Sequence, residues 1–117
     1  MKTKKDLTAE YKQMKFSMGV FQIRNTINDK IYVESSVNLD KIWNRHKLEL
    51  DFGGHRNTEL QSDWKKYGAD AFKFEILAEL EPDPMKDDKR ELKLLEELYL
   101  EELQPFDEKG YNRRKRN

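Results

Sequence analysis

Side chains that can handle protons, anions or metal ions lie in a few parts of this sequence. Tyr32 and His46 are close in the chain, and a loop with His55 and Arg56 follows shortly afterwards. Glu96 lies much later, within an acid-rich stretch. A phenol or an imidazole can exchange protons, an arginine can hold an anion, and a carboxylate can hold a divalent cation. Because each residue type also has an ordinary structural use, the elements that carry these residues decide their interpretation.

Residues 18–46 predict a β-hairpin followed by a helix. An apolar-rich run at 19–23 and a β-branched and aromatic run at 31–33 flank a polar segment with an Asn-Asp turn. The two strands should be antiparallel, because their connection is too short for a crossover. Apolar residues then recur at helical spacing from Leu39 to Leu50. Asn38 is a suitable N-cap for this helix.

Three further elements follow the first helix. Thr58 and Gln61 match a capping box that opens a short helix, which Gly68 can close. Residues 71–77 alternate apolar and polar positions before an apolar pair, a pattern typical of a strand with one buried face. The leucine-rich stretch 87–104, with leucines at 92, 95, 98 and 103, predicts the longest helix, and Pro105 ends it.

The predicted elements define one α+β domain in which a small sheet is covered by helices. The chain of 117 residues divides into a helical extension at 1–17, the domain at 18–112 and a basic tail at 113–117. Nothing in the spacing shows where the third strand joins the sheet.

Composition excludes several classes of function. The chain has 23 basic and 23 acidic residues, so its overall charge gives no signature of nucleic-acid binding, although basic residues cluster at both ends. Because there is no cysteine, disulfides, thiolate metal sites and cysteine nucleophiles are excluded. No apolar stretch is long enough to cross a bilayer, and no signal-peptide pattern is present. We therefore expect a cytoplasmic protein without a membrane partner.

An ordered series of motifs resembles the GIY-YIG nuclease family. Gly19-Val20-Phe21 and Tyr32-Val33-Glu34 correspond to the two motifs that name the family. Matching positions continue over most of the chain: Ser35, Ser36, Asn38, Leu39, Trp43, Arg45, His46, His55, Arg56, Asn57, Leu60, Gln61, Trp64, Gly68, the segment 74–77, Glu96, Tyr99, Gly110, Tyr111 and Asn112. The resemblance implies a three-stranded antiparallel sheet flanked by helices and a DNA partner. It also implies hydrolysis of DNA phosphodiesters that depends on Mg²⁺ or Mn²⁺.

The resemblance assigns roles only where the residues match. Tyr32 corresponds to the second motif tyrosine, which orients or deprotonates the nucleophile, and His46 to an assisting histidine on the first helix. Glu96 corresponds to the glutamate that holds the metal. Asn112 corresponds to an asparagine at the edge of the site. One carboxylate suffices for Mg²⁺, which commonly keeps several waters.

Three positions depart from the family pattern. Phe21 lacks the hydroxyl of the first motif tyrosine, Glu34 replaces a glycine, and Ile42 occupies the position of an arginine that contacts the scissile phosphate. Loss of one preorganised donor costs about 3 to 4 kcal/mol, or about a hundred- to a thousandfold in rate. We therefore predict a catalytic site that is incomplete, so that hydrolysis is weak or lost.

Other residues offer partial replacements for the missing arginine. Arg45 lies on a neighbouring part of the same helical surface and is the better substitute, and Arg24 leaves the first strand near the hairpin turn.

We also predict that Arg24, His55, Arg56 and Asn112 contact nucleic acid. The basic tail is either a phosphate-contacting arm or an unordered segment. Glu34 either adds a second metal carboxylate or crowds the site and repels phosphate.

Several alternatives stay open from the sequence. His46 can be a hydrogen-bonded core histidine, and Ile42 is most simply a core residue. Glu91 and Glu102 compete with Glu96 on spacing alone. Three functions compete accordingly: a weak metal-dependent endonuclease, a catalytically silent nucleic-acid-binding module, and a protein-interaction domain that reuses the fold.

Overall fold

The computed structural model describes residues 17–114 of the chain. Residues 1–16 of the helical extension predicted at 1–17, and residues 115–117 of the basic tail, lie outside these residues. The elements in chain order are β1 (Met18–Asn25), β2 (Ile31–Ser36), α1 (Leu39–Phe52), α2 (Thr58–Tyr67), β3 (Phe72–Leu80) and α3 (Asp88–Leu103). A single 3₁₀ turn, Ala69–Ala71, joins α2 to β3.

The sheet has the order β2-β1-β3, and both neighbouring pairs are antiparallel. The predicted α+β fold with a three-stranded antiparallel sheet is confirmed, and β3 takes the free side of β1. In the hairpin, Phe21 lies opposite Glu34 and Ile23 lies opposite Tyr32. Because residues two apart on a strand share a face, these four side chains belong to one face of the sheet.

Helices α1 and α2 cover that face, while α3 covers the other. Phe21 is completely buried, Trp43 of α1 stacks on Phe74 of β3, and Ile42 packs beside them. The aromatic rings and aliphatic side chains of this layer form the main apolar core, which stabilises the fold through burial. On the other face, the Tyr99 hydroxyl donates to the Leu77 carbonyl oxygen at 3.3 Å. Of the leucines that predicted α3, Leu92 is buried, whereas Leu98 is 59 % exposed.

The helix ends follow local side-chain chemistry. Asn38 is the N-cap of α1, as predicted, and its side chain accepts from the Lys41 backbone N–H. The capping box predicted at Thr58 and Gln61 is wrong, because Asn57 is the N-cap of α2 and accepts from the Leu60 backbone N–H. Gly68 closes α2 with a φ of 87°, in the region that favours glycine.

The outer edge of β2 is the side of that strand that faces away from β1, and later segments of the chain cover it. The Ile31 carbonyl accepts from the Tyr111 backbone N–H at 2.9 Å. The Val33 N–H and C=O pair with the side-chain amide of Asn112 at 2.8 and 2.7 Å, and the Ser35 N–H donates to Glu96 Oε1 at 2.9 Å. Covering an edge in this way satisfies its backbone groups and blocks pairing with another chain.

Within residues 17–114, none of the helices has the length and apolar composition that crossing a membrane requires.

Candidate functional site

A cavity of about 260 Å³ opens where β2, the α1–α2 loop and the C-terminal segment meet. Its lining combines a phenol, two guanidinium groups and two amides, contributed by Tyr32, Arg56, Asn57, Asn112 and Arg113. We call it the Tyr32 cavity. Of the residues predicted from the sequence, it brings Tyr32, Arg56 and Asn112 together. Its two guanidinium groups suit it to an anion.

A chain of close polar contacts runs beneath the cavity. Glu34 Oε2 lies 3.1 Å from His46 Nε2, and His46 Nδ1 lies 2.7 Å from His55 Nε2. At the far end, His55 Nδ1 accepts from the Asn57 backbone N–H at 3.0 Å. His46 of α1 and His55 of the loop are therefore linked to Glu34, the carboxylate that replaces the motif glycine. His46 is only 1 % exposed, which makes it a core residue as well as a site residue.

The environment fixes the ionisation of these groups. Burial alone raises the pKa of Glu34, but the His46 imidazole, the Tyr32 hydroxyl and the Arg56 guanidinium together more than offset this effect, so the pKa of Glu34 lies below its ordinary value. Burial, followed by the adjacent His46 imidazole, lowers the pKa of His55. Glu34 is therefore an anion at neutral pH, while His55 is neutral.

Tyr32 lies beside this carboxylate and remains a phenol. Burial first, and then the charge of Glu34 and a hydrogen-bonding interaction with it, raise the pKa of Tyr32 far above its ordinary value. At neutral pH the hydroxyl is consequently a donor and a poor proton acceptor.

Glu96 reaches the site from α3, around the edge of the sheet. One of its oxygens, Oε1, accepts from the Ser35 N–H, and Oε2 makes no hydrogen bond within residues 17–114. No group of three or more His, Asp or Glu side chains in that part of the chain converges to hold a metal ion. A single carboxylate of this kind would hold only a hydrated divalent cation that takes its other ligands from water and substrate.

The amide of Asn112 is fully occupied at the outer edge of β2, where it pairs with Val33. Asn57 is similarly engaged, since its Nδ2 donates to the Tyr111 carbonyl at 2.7 Å. The Tyr111 hydroxyl donates to Asp63 and accepts from Asn25. These contacts shape the wall of the cavity that Asn112 and Asn57 line.

Two predicted arginines are not brought to the cavity. Arg24 is held by Glu75 of β3 at 2.7 Å on the opposite face of the sheet. Arg45 is 70 % exposed and pairs with Glu49 on the surface of α1 at 3.2 Å. Neither residue lines the Tyr32 cavity.

Of the three departures from the family pattern, Phe21 is a core residue whose ring lies 5.7 Å from the His46 ring, and Ile42 is partly buried and packs against the core. The sequence did not single out Arg113 as a cavity residue, although it belongs to the predicted basic tail. It also did not identify Gln61, which accepts from the His55 N–H at 3.0 Å and donates to the Leu50 carbonyl at 2.9 Å. The signal for Gln61 was a polar residue at a buried position of the helix. The sequence analysis instead assigned Gln61 to the capping box.

Comparison with known proteins identifies the class of protein that this fold and site define. No protein-family model matches the chain. The chain is 32 % identical to a glutamate-to-alanine variant of the catalytic domain of intron endonuclease I-TevI, with a TM-score of 0.71 over 83 % of this chain and 93 % of that one. A second structure, of the catalytic domain of homing endonuclease I-TevI, matches with 35 % identity and a TM-score of 0.65 over 81 % of this chain and 96 % of that one.

The chain belongs to the GIY-YIG nuclease family. Among curated proteins, it is 40 % identical over 62 residues to intron-associated endonuclease 1 of Enterobacteria phage T4. This match takes in 53 % of the chain but only 25 % of the phage protein, so the chain corresponds to about a quarter of that relative.

Proposed function

We propose that this domain binds DNA at the Tyr32 cavity and hydrolyses phosphodiester bonds slowly, with a divalent cation at Glu96. The observation that carries the proposal is the convergence of Arg56, Arg113 and Tyr32 on one cavity, in a fold shared with the catalytic domain of an endonuclease.

Arg56 and Arg113 supply the positive charge for DNA binding. The Arg56 side chain is 69 % exposed, and Arg113 reaches from the C-terminal segment to the Thr58 hydroxyl at 3.4 Å. Guanidinium groups bind phosphate oxygens with two parallel hydrogen bonds. Contacts of this kind give affinity without base recognition, so binding should fall steeply with salt.

Hydrolysis should be slow because the groups that would assist it are missing or engaged. Ile42 offers no donor to a phosphate, and Phe21 offers no hydroxyl. Tyr32 is a protonated phenol, and both ring nitrogens of His46 face other side chains. When bound at Glu96, a divalent cation supplies neutralising charge to the phosphate oxygens. Loss of one preorganised donor alone slows such reactions by about a hundred- to a thousandfold.

Fluorescence anisotropy with a labelled DNA duplex at low salt tests binding. Replacing both Arg56 and Arg113 with Ala should weaken binding and flatten the dependence of log affinity on log salt by about 2, because each lost phosphate contact contributes about 0.9. Arg90→Ala removes one exposed arginine at the start of α3, away from the cavity, and should leave the affinity nearly unchanged. Equal weakening by both sets of changes would contradict binding at the Tyr32 cavity.

Nicking of supercoiled plasmid in Mg²⁺ or Mn²⁺ tests hydrolysis. Glu96→Gln keeps an acceptor for the Ser35 N–H but removes the charge that would hold a cation. We expect slow, metal-dependent nicking by the unchanged chain and none by Glu96→Gln, with similar thermal stability for both. Nicking that survives this substitution would exclude the proposed role of Glu96.

A catalytically silent DNA-binding domain is the second candidate, and the engagement of Tyr32 and His46 with Glu34 favours it. It predicts unchanged cavity-dependent binding and no Glu96-dependent nicking in either metal. The two assays together therefore separate the candidates.

A further inference from the structure

Three potential hydrogen-bond donors surround the carboxylate of Glu34. His46 Nε2 lies 3.1 Å from Oε2, and the Arg56 guanidinium lies 4.0 Å from Oε1. The Tyr32 hydroxyl also interacts with this carboxylate. The donors come from α1, the α1–α2 loop and β2, so a single side chain links three parts of the site.

The backbone fixes His46 as one of these donors. Because the Asn57 N–H donates to His55 Nδ1, that nitrogen carries a lone pair, and the proton of neutral His55 must be on Nε2. His55 Nε2–H then donates to His46 Nδ1. Because Nδ1 of His46 then accepts, the ring proton of His46 is assigned to Nε2, which faces Glu34. This assignment begins at a backbone amide, so it does not depend on the presence of Glu34.

Glu34 is an imperfect partner for this buried donor. His46 Nε2 and Glu34 Oε2 are both inaccessible to solvent and lack regular hydrogen-bond geometry, despite their 3.1 Å separation. The His46 side chain is only 2 % exposed, so water does not replace the missing geometry. Glu34 therefore faces a buried donor without satisfying it, and two of its other neighbours, Tyr32 and Arg56, line the adjacent cavity, where a second oxyanion would meet them.

Phosphate is the oxyanion that this set of groups suits. Tyr32, His46 Nε2–H and Arg56 are all groups that can donate to an oxyanion, and Arg113 lines the same cavity as Tyr32 and Arg56. Carboxylate and phosphate bind the same donors, but phosphate offers more oxygens in a tetrahedral arrangement. Glu34 replaces the glycine of the family motif, and a glycine there would leave these donors without an internal anion.

We infer that Glu34 occupies an anion site formed by Tyr32, His46 and Arg56, and that its carboxylate competes there with a phosphate group of DNA. The inference deepens the proposed function and rests on it. Glu34 is thereby an internal inhibitor of phosphate binding, held in place by the same donors that a phosphate would use.

The competition is measured by DNA binding of Glu34→Gln and Glu34→Gly at low salt, using the same labelled duplex. Removal of one negative charge close to a bound phosphate should strengthen binding about tenfold, and Glu34→Gly should also free the space. Glu34→Gln retains the shape and an acceptor for His46, so it provides the test if Glu34→Gly does not fold. Glu59→Gln is the matched control, because Glu59 is an exposed acid on α2 that pairs with Lys30 at 3.8 Å.

A larger gain for either Glu34 variant than for Glu59→Gln supports competition. Equal gains would show a general charge effect, and unchanged or weaker binding would show that Glu34 does not compete with phosphate; both results overturn the inference. Titration with inorganic phosphate, followed through the ring signals of His46 and His55 by NMR, gives a second measurement. Phosphate should perturb these signals in Glu34→Gln at lower concentration than in the unchanged chain.

Failure of the proposed function has a different signature. If the unchanged chain does not bind DNA, or binds it independently of Arg56 and Arg113, the proposed function is wrong. If it binds through these arginines and the Glu34 variants bind no better, only the competition is excluded.

Discussion

The outer edge of β2 and the floor of the site carry motif residues of the same family, yet they differ in how those residues are used. At the outer edge, Asn112 and Glu96 bind backbone groups of Val33 and Ser35. At the floor, which we define as Phe21, Glu34, Ile42, His46 and His55, the contacts are between side chains. The matching residues dominate the edge, whereas the departures lie in the floor.

A residue that matches a family motif is therefore not in itself a sign of activity. Asn112 closes the strand edge whether or not DNA is cleaved, and Gly19 is required because a side chain there would collide with the backbone of β3. Apart from the bond from the Asn57 N–H to His55, the floor is held mainly by contacts between side chains, so a residue such as Glu34 can change without breaking strand pairing.

The largest effect should come from restoring the family residues of the floor. A chain with Ile42→Arg, Phe21→Tyr and Glu34→Gly should nick plasmid about a hundred- to a thousandfold faster, because it regains a phosphate donor and a hydroxyl. Asn44→Arg adds the same charge at an exposed position of α1 and should have little effect. If the restored chain keeps its melting temperature but gains no activity, the floor has been remodelled for another purpose.

At the outer edge, Asn112→Ala should lower the free energy of unfolding by about 2 to 4 kcal/mol, because it leaves the Val33 N–H and C=O without partners. Urea denaturation measures this change. Asn44→Ala, an exposed control, should alter stability by less than about 0.5 kcal/mol. A similarly small change for Asn112→Ala would show that the amide is not needed to close the edge.

The floor should make stability depend on pH. The folded-state pKa of His55 is lowered, so its contribution is present above the ordinary histidine pKa and is lost as pH falls through the folded value. Glu34 acts in the same direction at lower pH, since its folded-state pKa is also lowered and its contribution is lost as the carboxylate becomes protonated.

Stability should therefore fall between pH 7 and 5, with a further loss at lower pH as Glu34 becomes protonated. His55→Asn keeps an acceptor near the Asn57 N–H but cannot titrate, and should flatten the upper part of the curve. Glu34→Gln should flatten the lower part. Urea denaturation across this pH range separates the contributions of His55 and Glu34. Parallel curves of stability against pH for the unchanged chain, His55→Asn and Glu34→Gln would contradict the assignment of the pH dependence to these two residues.

The smallest effect should come from Arg45→Ala. Its side chain is exposed and, among residues 17–114, is paired only with Glu49, so stability should change by less than about 0.5 kcal/mol. DNA affinity should change less than twofold for the same reason. A large loss of affinity or nicking would show that Arg45 moves to the bound DNA and replaces the arginine missing at Ile42.

Much of the fold was predictable because it is encoded locally. The hairpin is specified by two β-prone runs and a polar turn, α1 by its apolar spacing and Asn38, and α3 by its leucines and Pro105. The retained motif residues also indicated the family before any contact was known. The capping box failed because two N-cap residues, Asn57 and Thr58, are adjacent, and local sequence does not decide which one ends the extended loop.

Only the tertiary structure decided how the site is connected. It placed β3 beside β1, paired Asn112 with Val33, and joined Glu34 to His46 and His55. It also brought Arg113 to the Tyr32 cavity and left Arg24 and Arg45 outside it. The physical reason is that hydrogen bonds and charge pairs between distant residues depend on how elements pack, whereas periodicity and capping report only on neighbours in the chain.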